Sequence, residues 1–118
     1  MLALPDGVHY YLYQGHADMR KTFCGLEGLV KNELQARPTS GDVFIFISRR
    51  RTQIKLLQWQ KDGFAIYHKR LESGTFELPV SKNVQGGLQV TADSLLLILK
   101  GIRLSSVTYR KRFSGVEM

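Results

Sequence analysis

The chain has little of what several large function classes require. Its 118 residues include one cysteine, Cys24, so no internal disulfide can form. That usage fits the reducing conditions of a cytoplasm, which is the expected location. No apolar run approaches the roughly 20 residues that span a bilayer, so no membrane partner is expected. Met1 to Asp6 has neither the basic start nor the long apolar core of a signal peptide. Metal sites need clustered ligands, and His9, His16 and His68 are scattered along the chain. Neither a GxxxxGK[ST] phosphate loop nor a GxGxxG turn is present. No His-hydrophobe-His pair accompanies the five tyrosines, so a metal-assisted tyrosine nickase is not expected. Asp18, Asp42, Asp62 and Asp93 each have a local explanation at a turn or helix start. The expectation is a non-enzyme without metal or cofactor.

What is present is positive charge on one small domain. Lys plus Arg number 17 and Asp plus Glu 10, giving a formal net charge of +7. Such a surplus favours a polyanionic partner, because clustered Lys and Arg displace counterions from phosphates. The 43% hydrophobic content is enough for one packed core, so wholesale disorder is not expected.

The pattern along the chain predicts an α+β fold: one domain, an antiparallel meander sheet and two packed helices. His9 to Tyr13 reads as a first strand. Phe23, Leu26, Leu29, Val30 and Leu34 are spaced for one helix face, with Asp18 or Thr22 as cap. Gly25 and Gly28 would allow that helix close packing on a sheet, and Cys24 within it reads as a small buried hydrophobe. Pro38, Ser40 and Gly41 mark a loop. Val43 to Ile47 reads as a central strand buried on both faces. Gln53 to Trp59 and Phe64 to Leu71 read as a hairpin turned at Asp62-Gly63. Thr75 to Leu78 reads as a further strand stopped by Pro79, and residues 80–90 as a loop. Thr91 to Ser94 opens a second helix ending at Gly101. Residues 1–102 would form the domain, and 103–118, with Arg110 to Arg112, a basic extension, strand or tail.

The meander has a consequence for charge. Arg49, Arg50 and Arg51 stand at the entrance of one strand, and Lys69 and Arg70 at the exit of the next. Antiparallel pairing puts these five cations at one end of the sheet. The same pairing places Lys55, Leu57, Trp59, Phe64, Ile66 and His68 on one face. Such a patch can grip phosphates through arginine forks, or it can be a solvated turn that discourages edge pairing. Trp59 and the N-terminal tyrosines could stack bases, although aromatics in a sheet usually pack a core.

Gly15-His-Ala-Asp18-Met19-Arg20-Lys21-Thr-Phe23-Cys-Gly25-Leu26 is followed by Val43-Phe-Ile-Phe, Arg49-Arg50 and Lys55-Leu-Leu-Gln-Trp59. Asp62-Gly63-Phe64, Lys69-Arg70-Leu71-Glu72 and Gly74-Thr-Phe76 come after. This order resembles the TnpB-type second open reading frame protein of the insertion-sequence class numbered sixty-six, from about Gly7 to Ile102. The RNA-guided nuclease that shares the TnpB name is a different protein. The resemblance implies a bacterial accessory protein of transposition, with a separate transposase cutting and joining DNA. Expected partners are DNA at the element ends, the transposase and other element-encoded proteins. The candidate DNA-binding residues are Arg20, Lys21, Arg49, Arg50, Arg51, Lys55, Lys69 and Arg70. The alternative is an adaptor that docks the transposase without touching DNA, motivated by the aromatic content of Tyr10 to Tyr13 and Trp59.

Overall fold

Period-two and apolar runs build the centre of the molecule. In the computed structural model, which describes residues 7–79 and 87–100, five strands form one sheet. They are β1 (Tyr10–Tyr13), β2 (Val43–Ile47), β3 (Gln53–Trp59), β4 (Phe64–Arg70) and β5 (Gly87–Val90). Their order across the sheet is β4-β3-β2-β1-β5. The apolar run of β2 lies in the middle and all five of its residues are buried. Each face of that strand meets a different core, which is why the run does not alternate with polar residues.

One core gathers Tyr10, Leu12, Val43, Ile45, Ile47, Ile54 and Leu56 beneath Leu95 and Ile98 of helix α2 (Ala92–Lys100). The other gathers Phe44, Phe46 and Leu57 beneath Leu26 and Val30 of helix α1 (Phe23–Asn32). The fold is therefore α+β with a helix on each face of the sheet. Helix α2 begins as its sequence predicts, with the Ser94 amide donating to Thr91 Oγ1 at 3.0 Å. Its expected end at Gly101, and the 103–118 extension, lie outside the described residues.

The β2-β3-β4 meander forms as expected, and its register sets Trp59 opposite Phe64 and Gln53 opposite Arg70. The sheet as a whole is mixed rather than antiparallel. Tyr10 to Leu12 pair in parallel with Val43 to Ile45, so β1, α1 and β2 make a crossover unit. Two neighbouring segments also differ from expectation. Gly87–Val90 is a strand, antiparallel to β1, where a loop was predicted. Thr75 to Leu78 is irregular where a strand was predicted. Phe76 anchors it by a fully buried ring and an amide that donates to the Arg51 carbonyl at 2.7 Å, and Leu78 packs against the same core.

Helix α1 departs from its predicted details. Neither Asp18 nor Thr22 caps it: Thr22 occupies the cap position without a side-chain bond, and Asp18 binds Arg20 instead. A Cβ on Gly28 would meet nothing within 4 Å, and one on Gly25 would meet the Lys21 side chain at 2.9 Å. These glycines thus do not press the helix onto the sheet. Cys24 is exposed, because Leu26 and Val30 define the buried stripe and Cys24 lies off it.

Candidate nucleic-acid interface

The turn between β2 and β3 is built by one serine. Ser48 Oγ accepts from the Thr52 and Gln53 amides at 3.2 and 3.1 Å, and the Ser48 carbonyl accepts from the Arg51 amide at 2.9 Å. These bonds consume the backbone of the turn and leave Arg49, Arg50 and Arg51 exposed around its outside. Arg51 has a left-handed backbone with φ 60°. Next to the turn, the Leu71 amide donates to the Thr52 carbonyl at 2.8 Å, and Arg70 faces Gln53 across the strand pair. Arg49 to Arg51 and Arg70 therefore do share one end of the sheet. Arg70 also lies 3.6 Å from Glu72.

The two lysines expected in this patch are placed differently. Lys55 is buried, and its ammonium donates to the carbonyls of Met19 (2.8 Å) and Lys21 (2.7 Å). It ties the 18–21 loop to the sheet and has no exposed charge to offer a ligand. Lys69 is half-buried on the opposite face, where its ammonium donates to the Leu99 carbonyl at 2.8 Å. That carbonyl belongs to the last turn of α2, which carries the negative end of the helix dipole. Both lysines act in the fold first.

Because Lys55 holds their loop, Arg20 and Lys21 are exposed at the same end of the sheet, on the α1 side. Arg20 closes back on Asp18 with two parallel bonds, Nε to Oδ1 at 3.0 Å and Nη2 to Oδ2 at 2.8 Å. These bonds, with the Arg20 amide on the same carboxylate, lower the Asp18 pKa from 3.8 to about 2. His68, opposite Lys55 in β4, has its pKa lowered by burial and by the nearby charges of Lys55 and Arg70.

The aromatic residues divide by position. Trp59 packs edge-on against Phe64 at 5.0 Å, at the far end of β3. Six residues at about 3.3 Å each put it roughly 20 Å from the arginine turn, too far to stack a base held there. Tyr10 is buried, and Tyr11 stacks on Phe44 at 5.9 Å. Tyr13 packs against Phe46 at the patch end.

A cleft that the sequence did not disclose opens beside Tyr13. It occupies about 250 Å³ where the chain leaves the carboxyl ends of the parallel strands β1 and β2. Leu12 and Ile47 are deeply buried at its base, Tyr13, Leu78 and Pro79 add to its lining, and Gln14, His16, Ser48 and Arg51 supply its polar groups. Open sheets commonly bind ligands beyond the carboxyl ends of parallel strands, where the connections diverge. The alternation of strand, helix and strand between Tyr10 and Ile47 was the signal for this parallel pair. Among the described residues, no group of three or more His, Cys, Asp or Glu side chains could hold a metal, and no helix is long and apolar enough to cross a membrane.

Comparison with known proteins gives a consistent result. The family described as IS66 Orf2 like protein matches residues 8–109. The chain is 33% identical over 102 residues to an uncharacterized protein, y4jC, of Sinorhizobium fredii (strain NBRC 101917 / NGR234), covering 86% of each chain. A second uncharacterized protein of that strain, y4hO, is 31% identical over 101 residues, covering 84% of this chain and 86% of its own. No solved structure matches significantly.

Proposed function

The chain belongs to the IS66 Orf2-like family, and from that premise we propose that this insertion-sequence accessory protein binds DNA through its arginine end. A separate transposase performs the cutting and joining. The observation that carries this reading is the exposed Arg49-Arg50-Arg51 turn beside Arg70, with Arg20 and Lys21 held nearby by Lys55. Arginine forks bind phosphate oxygens in pairs, and several at one end let a backbone run across them. Lys55 and Lys69 support that end through their carbonyl contacts rather than by reaching a phosphate.

The adaptor reading, in which the chain docks the transposase without touching DNA, has less behind it. Its motivating aromatics are engaged inside the molecule: Tyr10 is buried, and Tyr11, Tyr13 and Trp59 pack on Phe44, Phe46 and Phe64. Among the described residues, the exposed large apolar side chains are Phe23, Tyr67 and Leu96, one each on α1, β4 and α2.

The test is a titration of purified protein against labelled element-end DNA and scrambled DNA of equal length, at 50 and 200 mM salt. The expected result is salt-steep binding that favours the ends and is lost when Arg49, Arg50 and Arg51 are all changed to Glu. Near-normal binding by that variant would remove the arginine turn from the interface. No binding at either salt by the unmodified protein would transfer the function to docking.

A further inference from the structure

The chain leaves α1 by a tight reversal. Gln35 has a left-handed backbone with φ 51°, and the Ala36 amide donates to the Val30 carbonyl at 3.0 Å. The reversal brings Leu34 against Gly87 of β5, where a Cβ would stand only 2.8 Å from the leucine side chain. Between this segment and the strands lies a second cleft, of about 450 Å³, on the α1 side of the sheet. Five residues at about 3.3 Å each put its Phe44 roughly 17 Å from Arg49, so it is separate from the arginine end.

The apolar lining of this cleft has surface to give. Tyr11, Leu34 and Ala36 are half-buried and all belong to the core beneath α1. Phe44 is fully buried and serves only to back the Tyr11 ring, at 5.9 Å. The polar lining is only partly engaged. Asp42 is held through Oδ1, which accepts from the His9 amide at 3.0 Å and lies 3.6 Å from the His9 imidazole. Among the described residues nothing engages its other oxygen, and the exposed Arg37 guanidinium has no acidic partner. The cleft thus joins a partly open aromatic ring, an acceptor and a cation.

Each of these features limits the ligand. Ligand pockets run from about 300 to 1,000 Å³, so about 450 Å³ suits a molecule of mononucleotide size. A half-buried tyrosine with aliphatic neighbours suits a planar ring. An ionised carboxylate only accepts, so that ring must present N–H donors, and a free guanidinium calls for an anion such as phosphate. Guanine presents an imino and an amino donor side by side. Adenine sets an unprotonated ring nitrogen beside its amino group, which a carboxylate repels.

We propose that this cleft binds a guanine nucleoside monophosphate, with the base on Tyr11, Leu34 and Ala36, its N–H edge on Asp42 and its phosphate on Arg37. The proposal goes beyond the DNA-binding reading and does not depend on it.

Equilibrium dialysis against GMP, AMP, guanosine and ribose 5-phosphate tests it. GMP should bind about tenfold more tightly than AMP or guanosine, as one charge-assisted contact contributes, and more tightly than ribose 5-phosphate. Asp42→Asn should erase the preference for GMP over AMP. Arg37→Ala, at an exposed position, should erase the preference for GMP over guanosine and leave guanosine affinity unchanged. An excess of oligothymidylate, which would occupy the arginine end, should leave GMP bound. Ribose 5-phosphate binding as tightly as GMP, or displacement of GMP by oligothymidylate, would overturn the proposal, because a cationic surface would then be holding phosphate alone. Either preference surviving in full in its variant would also overturn it, since the nucleotide would lie elsewhere. No binding of GMP by the unmodified protein would overturn it outright and leave the DNA reading untouched.

Discussion

At the scale of single residues, this end of the molecule is governed by which cations are already occupied. Asp18 takes both forks of Arg20, so that arginine meets a ligand with much of its charge compensated. The pair's pH dependence has a definite sign. The folded pKa is lowered to about 2, so its stabilisation is complete above the ordinary value of 3.8 and is lost as pH falls through about 2. A carboxyl NMR titration should give Asp18 a midpoint near 2, returning toward 3.8 in Arg20→Ala. Asp18→Asn should release Arg20 and raise DNA affinity roughly twofold to fivefold at low salt, a gain that vanishes as salt screens it. Lys55 gives the opposite case. Lys55→Met keeps most of the buried stem but leaves the Met19 and Lys21 carbonyls without the ammonium, and should lower stability by about 2–3 kcal/mol in urea denaturation. A direct phosphate contact would instead show as lost affinity at unchanged stability.

At the scale of elements, the β2-β3 turn sets local backbone preference against charge. A left-handed backbone suits glycine, and Arg51 holds it at φ 60°. Arg51→Gly should therefore raise unfolding stability by up to about 1 kcal/mol while weakening DNA binding. Equal affinity would mean that the strained arginine serves no ligand. The meander containing this turn was legible because its signals are local: apolar strands, a charged connection and a turn at Asp62-Gly63. Even there the left-handed residue is Lys61, one place before the expected Asp-Gly. The parallel pairing of β1 with β2 was missed because no local pattern fixes strand direction; the direction follows from α1 crossing between them. Strand β5 was missed for a related reason. Gly87 suits a loop, yet it sits against Leu34, where a Cβ would approach the side chain to 2.8 Å. What makes the segment a strand is its pairing with β1, Gly87 opposite Tyr13, which no local pattern announces.

At the scale of the whole molecule, a net charge of +7 does not by itself state how many charges a ligand meets. Charge convergence was readable from strand order alone, whereas the withdrawal of Lys55 and Lys69 depends on carbonyls brought in by distant segments. Six candidate cations are exposed: Arg20, Lys21, Arg49, Arg50, Arg51 and Arg70. Arg20 and Arg70 face acidic partners, which leaves Lys21 and the arginine triplet as the main phosphate contacts. About four contacts imply a log–log salt slope near −3.6 for duplex and near −2.8 for a single strand. Affinity for duplex should then fall roughly a hundredfold between 50 and 200 mM salt, and for a single strand roughly fiftyfold. The shallower single-strand slope means that the ratio of single-strand to duplex affinity should rise by roughly twofold to threefold over the same range. A measured slope well below these values would mean that fewer than four of the exposed cations reach phosphate at once, and the slope is the quantity to measure.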